Sequence, residues 1–186
     1  MSSQYRHVFE PIRIRGIYFK NRVTLAPTTP VMSTEDGLFT HELVNWMRMF
    51  ARGGVTTTYL GNCTVDITES HDQSFQLDLG SDRCLMPLSW YADMCKEYGC
   101  HASLEINHAG EGVAYETFGH PGYSSSSYIS DDELLRAQRN NRAPIPTIEM
   151  SREKIKETVQ LFANAAARMK RAGMDIVMVH GVTAIS

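Results

Sequence analysis

Four short clusters in this chain place small, hydroxyl-bearing and titratable residues directly behind apolar, β-branched runs. They are Pro27-Thr28-Thr29, Gly61-Asn62-Cys63, Glu105-Ile106-Asn107-His108-Ala109-Gly110 and His180-Gly181. Small residues where a strand stops let a flat ligand approach the backbone, and hydroxyls and amides there supply hydrogen bonds. His180 is the best placed for chemistry, because an imidazole can donate a hydrogen bond or a proton near neutral pH. Each cluster alone also has an ordinary structural reading: Pro-Thr-Thr is a turn, and His108 is a satisfied structural histidine. Glu105, His108 and His180 could meet on one rim, but no two share a short metal-ligand spacing, so no metal is expected. Cys63 has no partner base that its spacing identifies.

The elements that would carry these clusters alternate in type. Val23-Thr24-Leu25-Ala26 reads as a strand, followed by a helix from His41 to Arg52 capped by Thr40 and ended by Gly53-Gly54. Leu43, Val44, Met47 and Phe50 form its apolar face. Val55 to Leu60 is a second strand, Leu85 to Tyr98 a second helix and Ala102 to Ile106 a third strand. Asn107 to Met150 reads as one long structureless excursion of the kind that covers a site. Ser151 opens a helix to Ala172 with Ile155, Val159, Phe162, Ala163 and Ala166 on one face, and Asp175 to Val179 is a strand delivering His180. Strand and helix in alternation imply parallel strands with right-handed crossovers. There is no Gly-x-Gly-x-x-Gly turn after the first strand, so an α/β barrel is favoured over a dinucleotide-binding sheet. In such barrels the C-terminal strand ends form the active rim.

The composition narrows the function classes. A net charge of -3 gives no reason to expect nucleic acid or an anionic membrane as partner. No apolar run approaches a membrane span, the first residues are polar, and a cytoplasmic location is expected. Cys63, Cys84, Cys95 and Cys100 have neither disulfide-framework nor zinc spacing. The length of 186 residues suits one domain but falls short of the ~250 typical of a complete barrel.

Taken in order, Phe9-Glu10-Pro11-Ile12, Lys20-Asn21-Arg22-Val23, Ala26-Pro27-Thr28-Thr29, Gly53-Gly54-Val55, Asn107-His108-Ala109-Gly110 and Ala172-Gly173-Met174-Asp175 leading to His180-Gly181 resemble the Old Yellow Enzyme family of FMN-dependent oxidoreductases. The branch with 2-enoate, 2,4-dienoyl-CoA and bile-acid 3-oxo-Δ4-steroid reductases looks closest. The resemblance implies a (β/α)8 TIM barrel, of which residues 1–186 would be the N-terminal half, about the first four β/α units. It implies FMN along Ala26, Pro27 and Thr28, with the Thr29 hydroxyl near flavin N5 and O4, and Gly61 and Asn62 beside the ring. It implies that Glu105 faces the pyrimidine ring and that His180 is the first of two donors to a substrate carbonyl. NADH or NADPH would reduce the flavin, which would pass hydride to the β-carbon of an enone or enoyl substrate; Tyr115 is a candidate for the acid that protonates the α-carbon. An iron–sulfur cluster and FAD would belong only to a longer relative.

The pattern departs from the family in three places. Glu105 stands where relatives carry glutamine, and Glu111 where they carry arginine. After His180-Gly181 the family continues to a second histidine or asparagine and a tyrosine, whereas this chain reads Val182-Thr183-Ala184-Ile185-Ser186. With one choice of codons, loss of a single guanine from the family's His-Gly-Gly-His run yields these residues and a stop, so 182–186 is expected to be a frameshifted tail. The 186-residue product is then expected to bind FMN weakly or not at all and to self-associate through its open half-barrel. The alternative is a catalytically dead half-barrel serving as a binding or assembly module. Sequencing the DNA beyond Ser186 is expected to reveal a family-like continuation in another frame; its absence would remove the frameshift reading.

Overall fold

A computed structural model gives the fold of residues 5–113 and 115–181, so the tail expected to be frameshifted lies outside the described residues. The chain begins with a helical turn, α1 (Arg6–Phe9), and an antiparallel hairpin of β1 (Ile12–Ile14) and β2 (Ile17–Phe19). Arg15 and Gly16 turn this hairpin at φ 48° and 88°, the left-handed backbone that a two-residue hairpin turn requires. Then come β3 (Thr24–Leu25), α2 (His41–Arg52), β4 (Thr57–Thr64), α3 (Leu85–Glu97) and β5 (His101–Asn107). The excursion holds α4 (Tyr115–Phe118), β6 (Tyr123–Ser124), α5 (Asp131–Arg139) and β7 (Ile148–Glu149), and α6 (Arg152–Arg171) and β8 (Ile176–Val179) close the described chain.

The strands β3, β4, β5 and β8 form one parallel sheet in that order. Each new strand adds to the same growing edge. A doubly wound sheet reverses its direction of growth at a switch point, and this one does not; the progression is that of consecutive barrel units. Helices α2 and α3 cover one face through Leu43, Val44, Met47, Leu88, Tyr91 and Cys95, packed on Leu60, Ala102, Leu104 and Ile106. Tyr91 is fully buried there, and its hydroxyl reaches the Thr58 carbonyl at 3.1 Å and the Thr58 hydroxyl at 2.6 Å.

The N-terminal motif residues fasten the bottom of the sheet. Lys20 Nζ donates to the Tyr98 carbonyl (2.7 Å), Asn21 Nδ2 to the Gly54 carbonyl (2.8 Å), and the Val23 N–H to Asn21 Oδ1 (3.0 Å). The predicted caps form as well: Thr40 Oγ1 accepts from the Leu43 N–H and Ser151 Oγ from the Lys154 N–H, both at 3.1 Å. Each satisfies an N–H that a helix start leaves without an intrahelical partner.

Three expectations need correction. The excursion is structured: the Arg142 guanidinium forks between Glu133 and Glu116, Ser130 caps α5, and β6 pairs in parallel with β7. Strand β4 runs past Leu60 to Thr64, with a register shift between Leu60 and Cys63, so the Gly61-Asn62-Cys63 cluster lies within the strand rather than behind it. The buried side of α6 is Ala165 and Met169, with Leu161 and Phe162 packed against the core. Ile155, Val159 and Ala163 are exposed instead, Val159 at 64%. Periodicity identified an apolar stripe on α6 but not the face that meets α3 and β5. On β8, Val179 pairs with Ile106 and so lies on the helix-covered side of the sheet, yet it is 63% exposed.

Truncating Leu104 to Ala is expected to lower the unfolding free energy by about 2–5 kcal/mol. Ser151→Ala is expected to cost about 1 kcal/mol through the lost cap. Urea denaturation followed by far-ultraviolet circular dichroism measures both.

Candidate active site

Side chains along a strand alternate between faces. With Leu60, Leu104 and Ile106 turned to the helices, Gly61, Glu105 and Asn107 share the opposite face near the C-terminal strand ends. The sheet is drawn tight there. A Cβ on Gly61 would lie 2.5 Å from Glu105 Cβ and 3.0 Å from its Oε2, so only glycine admits the Glu105 side chain. The Gly61 N–H donates to the Thr28 carbonyl at 3.2 Å, tying β4 to the segment after β3.

Thr29 completes this seam. Its hydroxyl donates to the Gly61 carbonyl and accepts from the Asn62 N–H at 2.7 Å. A threonine hydroxyl has one proton and two lone pairs. With the proton committed to Gly61, Thr29 presents a remaining lone pair to a ligand and acts as an acceptor in this arrangement. Asn62 is held at both ends of its amide: Nδ2 donates to Asp72 Oδ2 (2.8 Å), and Oδ1 accepts from Gln76 Nε2 (2.9 Å). Gln76 is 2% exposed and takes the Asp72 N–H on its Oε1 at 3.2 Å. Thr28 Oγ1 bonds back to the Ala26 carbonyl at 3.1 Å, which leaves Ala26, Pro27 and Thr28 as a low, mostly backbone surface.

His180 stands at the end of β8, its N–H bonded to the Ile106 carbonyl at 3.0 Å. Its Nδ1 lies 3.3 Å from Oδ1 of Asn107, a residue with 0% exposure. The Asn107 amide therefore selects the ring tautomer. An amide oxygen facing Nδ1 requires Nδ1–H, while an amide NH2 there would leave the proton on Nε2. His108 turns away from this role: its Nδ1 accepts from the Gly110 N–H at 3.2 Å, and burial lowers its pKa below the ordinary histidine value, with the Lys154 charge adding to the effect. Burial also pushes the Cys63 thiol far up, which makes it a poor nucleophile.

The structure thus brings Thr28, Thr29, Gly61, Asn62 and Glu105 together and sets His180 against Asn107 on the same strand-end rim. Tyr115 lies in the excursion, its ring 5.7 Å from the Arg142 guanidinium, lining a cavity with Glu111, Tyr128 and Glu133. Glu111 accepts from the Tyr128 hydroxyl. Asp72 and Gln76 went unnoticed in the sequence, where a polar loop residue carries no local signal, and Asn107 was visible only as part of a motif. Among the described residues no group of three or more His, Cys, Asp or Glu could hold a metal ion, and no helix is long and apolar enough to cross a membrane.

Residues 7–184 match the family described as NADH:flavin oxidoreductase / NADH oxidase. The chain is 26% identical over 184 residues to an NADH oxidase of Thermoanaerobacter brockii, covering 96% of this chain and 26% of that protein. It is 30% identical over 182 residues to an NADPH dehydrogenase of Bacillus subtilis (strain 168), covering 94% of this chain and 48% of that protein. Its fold matches Old Yellow Enzyme from Pichia sp. AKU4542 with a TM-score of 0.81 at 21% identity, covering 94% of this chain and 45% of that one. The fold is therefore part of a TIM barrel, and the chain spans about a quarter to a half of the length of these relatives.

Gly61→Ala is expected to cost about 1–3 kcal/mol by overpacking against Glu105, with part of the loss recovered when Glu105→Gly is added. Asn107→Asp offers His180 only acceptors and is expected to fix the proton on Nδ1. The imidazole nitrogen chemical shifts report that tautomer directly: unchanged shifts mean that the Asn107 oxygen already faces Nδ1, and an Nε2–H ring in the variant would remove Asn107 from the role.

Proposed function

The chain belongs to the NADH:flavin oxidoreductase / NADH oxidase family, and we propose that it contributes the strand-end rim of an FMN-dependent NAD(P)H oxidoreductase acting on an alkene conjugated to a carbonyl. The observation that carries this reading is the convergence of a backbone-lined surface, a half-buried carboxylate and a tautomer-controlled imidazole on one rim. The donor set fits a flavin ring. Glu105 offers an acceptor to the ring's imide N–H, Thr29 offers a lone pair, and Ala26 to Thr28 offer little bulk beneath it. A carboxylate at position 105 would not donate to a ring carbonyl as an amide would, so it would hold that side of the ring by acceptance alone. Bound FMN, reduced by NADH or NADPH, would supply the hydride chemistry.

The protein's own residues would do the rest. With the Asn107 amide turned so that its NH2 faces Nδ1, His180 would carry its proton on Nε2, donate it to the substrate carbonyl oxygen and stabilise the negative charge that grows there. Asn107 would hold the ring in that tautomer. Asn62, clamped by Asp72 and Gln76, would keep the Gly61–Thr29 seam in place beneath the ligand. Tyr115 is the proposed source of the proton for the α-carbon. A second reading, a half-barrel that binds without catalysing, draws support from the exposed Ile155, Val159, Val177 and Val179, which offer an apolar surface for self-association or a partner.

In TIM barrels phosphate is often held by loops after the seventh and eighth strands. The 186-residue chain is therefore expected to bind FMN and riboflavin weakly and within about threefold of one another, as flavin fluorescence titration will measure. A much tighter FMN complex would mean that this chain holds the phosphate itself. In any preparation that turns over 2-cyclohexen-1-one with NADPH, His180→Leu is expected to lower kcat by about 100-fold or more. A flavin-bound protein with no such activity would favour the binding module.

A further inference from the structure

The turn that joins α3 to β5 brings two thiols together at the end of the sheet opposite the rim. The Cys100 N–H donates to the Cys95 carbonyl at 3.0 Å, and the Gly99 N–H donates to the Lys96 carbonyl at 3.0 Å. With Gly99 at φ +56°, these two bonds are the six-to-one and five-to-two closure that a left-handed glycine gives a helix end. The first and last residues of such a closure commonly bring apolar side chains into contact. Here both are cysteines. A disulfide needs Cα atoms roughly 4.4–6.8 Å apart, and the backbone bond between the two residues holds them within that reach. No disulfide-framework spacing marks the pair; the geometry of the turn does.

The surroundings make the two sulfurs unequal. Cys95 is fully buried, its Sγ 3.3 Å from Thr58 Oγ1. Cys100 is the outer member at 3% exposure, its Sγ donating to the His101 carbonyl at 3.6 Å. The hydrogen bond shared with Cys95 draws the Cys100 thiol below the ordinary thiol value, assisted by the Lys20 charge and opposed by burial. The same bond, together with burial, pushes the Cys95 thiol up. Lys20 is fixed beside the turn by its own bond to the Tyr98 carbonyl at 2.7 Å. A thiol that ionises beside a cation is the nucleophile of such a pair, and the neutral thiol next to it resolves the product. Cys63 differs: it is buried in the core with its thiol directed at the Leu60 carbonyl at 3.7 Å.

The route to Cys100 is the turn itself. Lys96, Glu97 and Gly99 are exposed, and a helix end opens locally at a small fraction of the global unfolding free energy. An oxidant as small as hydrogen peroxide needs no larger opening.

We propose that Cys95 and Cys100 form a peroxide-responsive dithiol site that closes reversibly to a disulfide. The Cys100 thiolate attacks one peroxide oxygen. An S–O bond forms, the O–O bond breaks, and the hydroxide that leaves takes up the thiol's proton as water. The Cys95 thiol then attacks the sulfenic sulfur of Cys100. The S–S bond forms, the S–O bond breaks, and the second oxygen leaves as water with the Cys95 proton. Two thiols and one peroxide thus give one disulfide and two waters, with two electrons passing from the sulfurs to the peroxide. The new bond fastens the end of α3 to the start of β5.

The test exposes the 186-residue chain to hydrogen peroxide under native conditions and counts thiols after denaturation. Free thiols are expected to fall from four to two and to return with dithiothreitol. Trypsin cuts after Lys96, between the two cysteines, so the oxidised chain is expected to yield joined peptides that tandem mass spectrometry assigns to Cys95 and Cys100. In Cys95→Ser, Cys100 is expected to stop at a sulfenic acid that dimedone traps. Cys100→Ser is expected to leave Cys95 reduced, with circular dichroism checking that each variant folds. Native alkylation by iodoacetamide distinguishes an opening turn from a sealed core, and Cys100 is expected to react at least about tenfold faster than Cys63. The peptide mapping and the alkylation use the unsubstituted chain, so they decide the matter even if a variant fails to fold. Equal alkylation rates would overturn the site, as would four thiols persisting in peroxide, a bond between other cysteines or between two chains, or sulfenic acid left on Cys100 in the unsubstituted chain.

Discussion

The close approach of β4 and β5 at Gly61 is the constraint on which the rest of the site depends. Glu105 Cβ occupies the space that any side chain at position 61 would need. This contact lets the Gly61 N–H reach the Thr28 carbonyl and its carbonyl receive the Thr29 hydroxyl, so the ends of three successive segments are fixed by one backbone position. Such a seam is stiff because the Gly61 N–H, the Gly61 carbonyl and the Asn62 N–H are all paired across it, and breaking one bond leaves a partner group desolvated. A rim built this way can meet a planar ligand without rearranging.

Around that seam the structure adds successive layers of support. Asn62 is fixed by Asp72 and Gln76, and Gln76 is fixed in turn by burial and by the Asp72 N–H. The same loop carries Phe75 in its left-handed backbone, so the order that holds the rim also shapes a neighbouring cavity lined by Phe75 and Gln76. On the other side, the Arg142 fork to Glu116 and Glu133 gives the long excursion a frame of its own. A site spread over several loops acquires rigidity here from side-chain amides and carboxylates rather than from the sheet alone.

Legibility in the sequence followed the range of the interaction. The caps at Thr40 and Ser151 and the alternation of strand and helix depend on residues a few positions apart, and they were readable. The extent of β4 was not, because Gly61 and Asn62 read as a strand end until their neighbours β3 and β5 are in place. The apolar stripe of α6 was legible, but its orientation was not. Ala165 and Met169 are buried because of where α3 and β5 stand, a fact that the helix's own periodicity does not contain. The excursion was misread for the same reason, since Arg142 and Glu116 lie 26 positions apart.

By itself the sequence determined the order of the main sheet strands and the helices between them, the parallel sheet, three of the four strand-end clusters and, through the ordered motifs, the resemblance to a flavoenzyme family. Those features are local, fixed by backbone preference, apolar spacing and short motifs. Only the tertiary structure decided which cluster members meet: that Thr29 spends its proton on Gly61, that Asn107 governs His180, and that Asp72 and Gln76 hold Asn62. Hydrogen bonds of this kind depend on positions to within a fraction of an ångström, and those positions exist only once the strands have packed.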